Sequence, residues 1–559
     1  MNTTRTTLIL ACVVVAVCAT SNVRADFTFG EATNLGATVN SASGDFSCCV
    51  SYDGLELYFS SNRAGGQGGS DLWVCTRSTR QEAWGAPQNL GPLVNSPQAD
   101  LSPSISADGL ELYLHSNGRS GGFGGSNIWV TRRAATDAPW SSAENLGPTV
   151  NNAGWVAYNP CIASDGLTLY FAWGGWVAVT RRATPDAPWE QPVDLTTVVN
   201  NWESQDTPWI SSDGRLLVFT DNAPYTPRPG GFGGTDVWYS RSRAATVGVH
   251  SLYNPYAWEP PVNAGLGVNT SSRDDWSMIS PDGSMLYYSS ERAGGFGSLD
   301  LWQAPILPVV DFNGDGQVDE KELRVLVQCW DTNDPQCDIG PMPWGDGVVD
   351  IQDLKVLAEY IGEEVSDPTL IAHWALDETE GTTAHDSTGD HDGTILGAPL
   401  WQPEGGRIGG ALELSGVPNL VATPFVRDPS QGPLSVFAWV KGGAPGQVVV
   451  SQDSGGANWL MADADGALMT ELQSSGRIAS ALTSTAVITD GDWRRIGLTW
   501  DGVNRTLYVD DVAVATDTQT GLAGSTGDLL LGASAKPGAG SFWKGLIDDV
   551  RIYDRAVKP

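Results

Sequence analysis

Residues 106–117 read SADGLELYLHSN. An Asp-Gly pair followed by alternating apolar residues marks a tight turn entering a strand with one buried face. The pattern recurs as SYDGLELYFSSN (51–62), ASDGLTLYFAWG (163–174), SSDGRLLVFTDN (211–222) and SPDGSMLYYSSE (280–291), which makes Asp53, Asp108, Asp165, Asp213 and Asp282 equivalent. After four of the copies comes a Gly-rich loop and a further strand: GGQGGSDLWV (65–74), GGFGGSNIWV (121–130), GGFGGTDVWY (230–239) and GGFGSLDLWQ (294–303). The third copy degenerates to GGWVAVTRR (174–182), and a segment of the NLG…VN kind precedes each turn. Four antiparallel strands per repeat predict propeller blades. The first unit opens on an outer strand, FGEATNLG (29–36), and the last ends on DLWQAP (300–305), so the N-terminal strand is expected to complete the final blade. Five blades follow; a sixth, degenerate blade is the alternative.

The 559 residues allow several domains, each with its own core. The formal net charge of −34 argues against nucleic acid or an anionic membrane as partner, since both need a basic surface, and favours cations or neutral polymers such as glycans. Residues 1–25 read as a secretory signal: Arg5, the apolar run LILACVVVAVCA (8–19), then Val23-Arg24-Ala25. That run is too short for a transmembrane helix and no later run is long enough, so an exported or cell-surface chain without a transmembrane segment is expected. Cys329 and Cys337 flank a short loop and form the expected disulfide; Cys75 is a candidate to meet Cys48 or Cys49, and Cys161 to stay a buried free thiol.

Within the repeats, the turn aspartates read as structural caps, and Asp71, Asp236 and Asp300 as ties for the Gly-rich loops. Eight residues before each turn stand Asp45, Asp100, Ala157, Gln205 (with Asp206 beside it) and Asp274. They open the innermost strands and are expected to ring the channel mouth, where Asp45, Asp100, Asp206 and Asp274 are candidate ligand-binding residues. The plain alternative is a solvated rim. Trp155, Trp173, Trp202 and Trp258 break the repeat and suit either sugar stacking or packing between uneven blades. No His pairs with a Ser or Cys nucleophile, so no catalytic residue is assigned. The S-x-D-G-x-x-L-Y and G-G-x-G-x-D-L-W segments resemble the WD40-like β-propeller repeats of the periplasmic Tol system and of many exported bacterial proteins. That resemblance implies a fold for residues 26–307, not a function.

Residues 311–322, DFNGDGQVDEKE, have the spacing of a calcium loop. Ca²⁺ takes six to eight oxygens, which such a loop supplies from fixed positions. Asp311, Asn313 and Asp315 offer side chains, Gln317 a backbone carbonyl, Asp319 a water-mediated contact and Glu322 a bidentate carboxylate, with Gly316 at the sharp turn. An irregular copy follows in 337–361, where Asp346, Asp350 and Asp353 take the fifth, ninth and twelfth places. Met342 and Trp344 fall on the first and third, so Asp338 is needed as first ligand with Pro341–Trp344 bulged out. Two loops that each lead into a helix resemble a type I dockerin over residues 308–363, which implies a cohesin-like scaffold as partner. Glu322 and the insertion depart from that family, so a calcium-ordered joint between larger domains is the competing expectation.

Beyond a linker at 364–368, residues 369–559 turn to alternating strands such as TLYVDDVAVA (506–515). Segments including LSVFAWVKGG (434–443), DGDWRRIGLTWDG (490–502) and FWKGLIDDVRIYDRAV (542–557) resemble the LamG-like, concanavalin A-type jelly roll. The resemblance implies glycan or protein binding, and an ion shared by Asp386 and Asp548. The expectation is therefore a mainly β, multidomain, exported bacterial protein with bound Ca²⁺, made of a propeller, a small helical joint and a sandwich, that binds polysaccharide or a surface glycan. A glycoside hydrolase with its site on the propeller face and a structural assembly component are the alternatives.

Overall fold

The computed structural model describes residues 27–559, apart from 153, 155, 196–197, 201–203, 222–227, 229–230, 243–257, 266, 333, 335, 342–344, 346, 364, 366, 368, 390, 399, 417, 454–456, 475–479, 537 and 539. The expected signal at 1–25, Trp155, Trp202, Met342, Trp344 and Asp346 lie outside the described residues.

Each Asp-Gly turn joins an inner strand to a second strand. The turn carboxylates accept from the backbone two residues on, as Asp108 does from Leu110 at 3.0 Å, which is why the five hairpins form alike. Five sheets result. Four of them run inner to outer in chain order, beginning on Asp45–Val50, Ala99–Ile105, Ala157–Ile162 and Gln205–Ile210. In the fifth, Asp274–Ile279, Met285–Ser290 and Asp300–Pro308 are followed by the N-terminal strands: Phe27–Phe29 pairs with 306–308 and Thr33–Asn34 with 302–303. The ring is thus five-bladed and closed by its N-terminus. The sixth-blade alternative drops out, because all five repeats are used once.

Neighbouring blades are stapled by arginines laid on tryptophans. Arg133 sits over Trp140 and pairs with Glu56 of the preceding blade at 2.8 Å; Arg182 sits over Trp189 and pairs with Glu111 at 2.5 Å. Trp258, 1% exposed, packs with Trp238 and Leu195, so the packing reading holds for it. Trp173 packs partly buried beside Phe171. Cys75 does not meet Cys48 or Cys49: the strand Glu56–Ser61 lies between theirs, and all three are free and buried, as is Cys161.

The joint has helix α1 (Glu320–Gln328) and helix α2 (Ile351–Tyr360), each started by an aspartate N-cap and capping box, Asp319 with Glu322 and Asp350 with Asp353. Val310, Phe312, Val318, Leu326, Ile339, Val349 and Leu357 form its own small core. Cys329 and Cys337 are disulfide-bonded within it. The sandwich consists of two eight-stranded antiparallel sheets over a core that includes Trp374, Trp459 and Trp543, each 0% exposed. Its first strand, Leu370–Trp374, lies beside its last, Lys544–Tyr553. Among the described residues no helix is long and apolar enough to cross a membrane.

Candidate functional site

Asp45, Asp100 and Asp274 do not line an open mouth. All three are 0% exposed. Each accepts from the backbone and hydroxyl four residues earlier (Ser41, Ser96, Thr270) and ion-pairs with an arginine (Arg63, Arg119, Arg292) that lies over the tryptophan of its blade's third strand. Their oxygens close the blade. The correction has a simple cause: an arginine following the second strand reaches each carboxylate and, with the hydroxyl and backbone donors, compensates its burial. Blade four departs from the pattern. Gln205 replaces the aspartate, and Asp221 stands opposite it where Ser61 and Ser290 face Asp45 and Asp274. Arg228 still covers Trp238, but its terminal nitrogens and both amide atoms of Gln205 are buried without a hydrogen-bond partner among the described residues.

The groups that do surround the axis come one or two places later. Every inner strand carries a bulge, and at each bulge a non-glycine residue takes a positive φ: Ser47 52°, Ser102 52°, Asn159 51°, Thr207 48° and Trp276 49°. Such strain persists only where the surroundings enforce it. A bulge re-aims side chains, and these build a belt from blade to blade. Ser47 Oγ donates to Ser102 Oγ (2.9 Å), Ser102 Oγ to Asn159 Oδ1 (2.5 Å) and Asn159 Nδ2 to Asp206 Oδ1 (2.6 Å). Thr207 and Thr220 hydroxyls meet at 2.6 Å, and Thr220 donates to Asp275 Oδ1 at 2.9 Å. His115 Nδ1 accepts from the Asn159 backbone at 3.1 Å; burial pushes its pKa down to about 3, so the ring is neutral.

Around the belt stand half-buried Phe46, Leu101, Tyr158 and Trp276. Arg273 pairs with Asp275 at 2.8 Å and lies over Trp276. Burial, then the Asp206 charge beside it, raise the Tyr158 hydroxyl well above the ordinary tyrosine range, so it stays a donor. Of the four acids expected at the mouth, Asp206 alone is there; Asp275, Tyr158, Asn159 and Arg273 were missed. Their signal was a polar or aromatic residue just after each repeat's strand start, visible only once the bulge is known. Both carboxylates are buried, Asp206 6% and Asp275 3% exposed, and their bonds to amide, hydroxyl and guanidinium groups brace the wall of the mouth.

In the first acidic loop, Asp311, Asp315 and Glu322 bring carboxylate oxygens within 4.8 Å of one another. Asp311 is 2% exposed, Asn313 3% and Glu322 0%. Asn313 Oδ1 and Glu322 Oε1 are buried without partners, an arrangement that a hard cation would satisfy. Burial, with the neighbouring Asp311 and Asp315 charges, lifts the Glu322 carboxyl to about 7. Asp319 caps α1 and the Gln317 side chain is exposed. The donor set fits calcium, which would neutralise the crowded carboxylates. In the second loop Asp338 accepts from Gly347 at 2.7 Å, while both oxygens of Asp353 are taken by the Gly340 and Asp350 backbones. Asp350 is occupied as the N-cap of α2. Among the described residues this loop has no convergent acid group.

Asp386 and Asp548 are held by different loops. Asp386 accepts from His373, Thr388 and His391 backbones; Asp548 accepts from the Arg407 and Ile408 backbones at 2.6 and 2.9 Å. Asp548 Oδ1 is buried unpartnered, and burial followed by the Asp549 and Asp377 charges raises its carboxyl to about 7.

Residues 416–559 match the family described as the concanavalin A-like lectin/glucanases superfamily. No curated protein matches the chain. Trypanosoma rangeli sialidase in complex with the inhibitor DANA is similar in structure at 12% identity, over 93% of each chain, with a TM-score of 0.44. Domain 4 of AbnA, a GH43 extracellular arabinanase from Geobacillus stearothermophilus in complex with arabinotriose, is 23% identical over 34% of this chain and 94% of its own, with a TM-score of 0.28. Bacteroides ovatus xyloglucan PUL GH43B is 13% identical over 94% of this chain and 100% of its own, with a TM-score of 0.34. At these scores the likenesses carry no argument about activity. The C-terminal sandwich is concanavalin A-like, and its sheets extend N-terminally of the matched residues, to Leu370.

Proposed function

We propose that this chain is an exported, calcium-dependent protein that binds polysaccharide or a surface glycan. The observation that carries the reading is the match of the sandwich to a lectin and glucanase superfamily. The propeller supports it with a mouth of half-buried aromatics, a composition suited to sugar ring faces. The 311–322 loop supports a structural cation through its orphaned oxygens, and metal binding there becomes folding energy for the joint. The test is a glycan array on the mature chain, with and without chelator, and reducing-sugar release in parallel. Binding without release supports recognition; release would move the protein to the hydrolases.

One observation favours a second role for the joint. Leu323 and Val327 on α1, and Trp330 just past its C-cap Cys329, are 36%, 59% and 37% exposed. Such a stripe is the kind of surface that a cohesin-like scaffold would cover. Pull-down with a cohesin domain, against a Val327→Asp control, tests it.

A further inference from the structure

The Gly-rich loops join second to third strands at the end of each blade where the inner strand begins, since Asp45 pairs with Ser61 and Asp274 with Ser290 in register. They therefore share a face with the channel mouth. Each loop is pinned by one side chain. Asn127 and Asp236 accept the backbone N–H of Phe123 and Phe232 at 2.7 Å, and Asp71 and Asp300 likewise hold Gln67 and Phe296. Close approach leaves little room elsewhere. A Cβ on Gly231 or Gly295 would meet Asp236 or Asp300 at 2.3 or 1.9 Å. One on Gly233 or Gly297 would meet the next blade's backbone at 2.5 or 2.0 Å. Between those glycines stands one residue with a side chain, and in three loops it is phenylalanine turned to solvent: Phe123 is 40% exposed, Phe232 41% and Phe296 49%. A polar residue serves the same backbone in blade one, where Gln67 stands, so folding does not demand the ring.

We propose that Phe123, Phe232 and Phe296 form a platform on which the pyranose faces of a neutral polysaccharide stack across the propeller mouth. This rests on the glycan-binding reading and adds a second surface to the sandwich. Single rings on separate loops, with glycine backbone between them, offer isolated stacking points. A protein interface would instead need a contiguous desolvated core. The net charge of −34 disfavours an anionic polymer. The mouth they surround adds the half-buried rings of Phe46, Tyr158 and Trp276.

The test replaces all three with the residue blade one already uses, Phe123→Gln, Phe232→Gln and Phe296→Gln, in the full mature chain. Affinity electrophoresis in hydroxyethyl cellulose, arabinoxylan and galactomannan is compared with polygalacturonate. The intact chain is expected to be retarded by at least one neutral polymer, and the triple variant to bind it at least about tenfold more weakly with an unchanged melting curve. Tryptophan at the three positions should retain binding. Unchanged binding by the triple variant would overturn the platform and leave glycan recognition to the sandwich. An intact chain retarded by no polymer, or by polygalacturonate alone, would overturn the platform; the glycan array then decides the wider reading separately.

Discussion

Closure of the ring by the N-terminal strand makes a quantitative prediction. Phe27 and Phe29 are 1% and 4% exposed and pack on Tyr239 of blade four, at ring-centroid distances of 5.3 and 6.2 Å, while their strand is bonded to Asp300–Pro308 of blade five. They therefore lock two blades at once. Truncating a buried phenylalanine to alanine costs about 3–5 kcal/mol. For a domain of this size each kcal/mol is worth roughly 2–4 °C, so Phe27→Ala should lower the propeller's melting transition by about 6–20 °C. Thr28, which alternates to the other side, is the control: Thr28→Ala should cost less than about 0.5 kcal/mol. Scanning calorimetry with urea unfolding measures both. Equal effects of Phe27→Ala and Thr28→Ala would refute the closure, because a strand that carries no load has no buried side to lose.

The acidic loop should lose calcium in titration calorimetry on Glu322→Gln, while cation-free stability at neutral pH holds or rises, since ionising a buried carboxyl held at about 7 is unfavourable; a cation-free loss would make Glu322 a packing residue. Arg292→Met strands the buried Asp274 carboxylate and should cost about 3–5 kcal/mol in urea unfolding. Arg228→Met, where no direct ion pair is present among the described residues, should cost less. Burial alone would raise Asp386, but His391 and the His373 and Thr388 backbones outweigh it and hold its carboxyl below the usual range. The stability it adds is present above about pH 4 and is lost as pH falls further, so Asp386→Asn should flatten the sandwich's acid unfolding curve.

The hairpins were legible because their information is local: Asp-Gly and the two-residue period lie within a dozen residues. The capping boxes of α1 and α2 are equally local, but their residues, Asp319, Glu322, Asp350 and Asp353, were read only as calcium ligands. What escaped depends on distant partners. Asp45 reads as a rim acid until Arg63 is known to fold back over Trp73, and Asp275 reads as surface until a bulge turns it inward. Asp386 and Asp548 were paired by analogy, whereas loops far apart in sequence claim each one. The sandwich's first strand lies outside the family match but is placed by pairing with the last.

The last strand of the sandwich and the residues after it return to the joint. Tyr553 donates to the Gly314 carbonyl at 2.6 Å, Arg551 to the same oxygen, Arg555 to the Asp311 carbonyl, and the Lys558 backbone to Phe312 at 2.8 Å. The bond from Arg555 to Asp311 spans 244 residues. A chain made from its N-terminus can seal the propeller once residue 308 has emerged, yet must hold the acidic loop unfinished until residues 551–558 arrive. In the interval any cation would meet a loop whose carbonyls still lack these donors. The tail thus times the middle of the molecule, and trimming 555–559 should disturb the joint while sparing the propeller that precedes it.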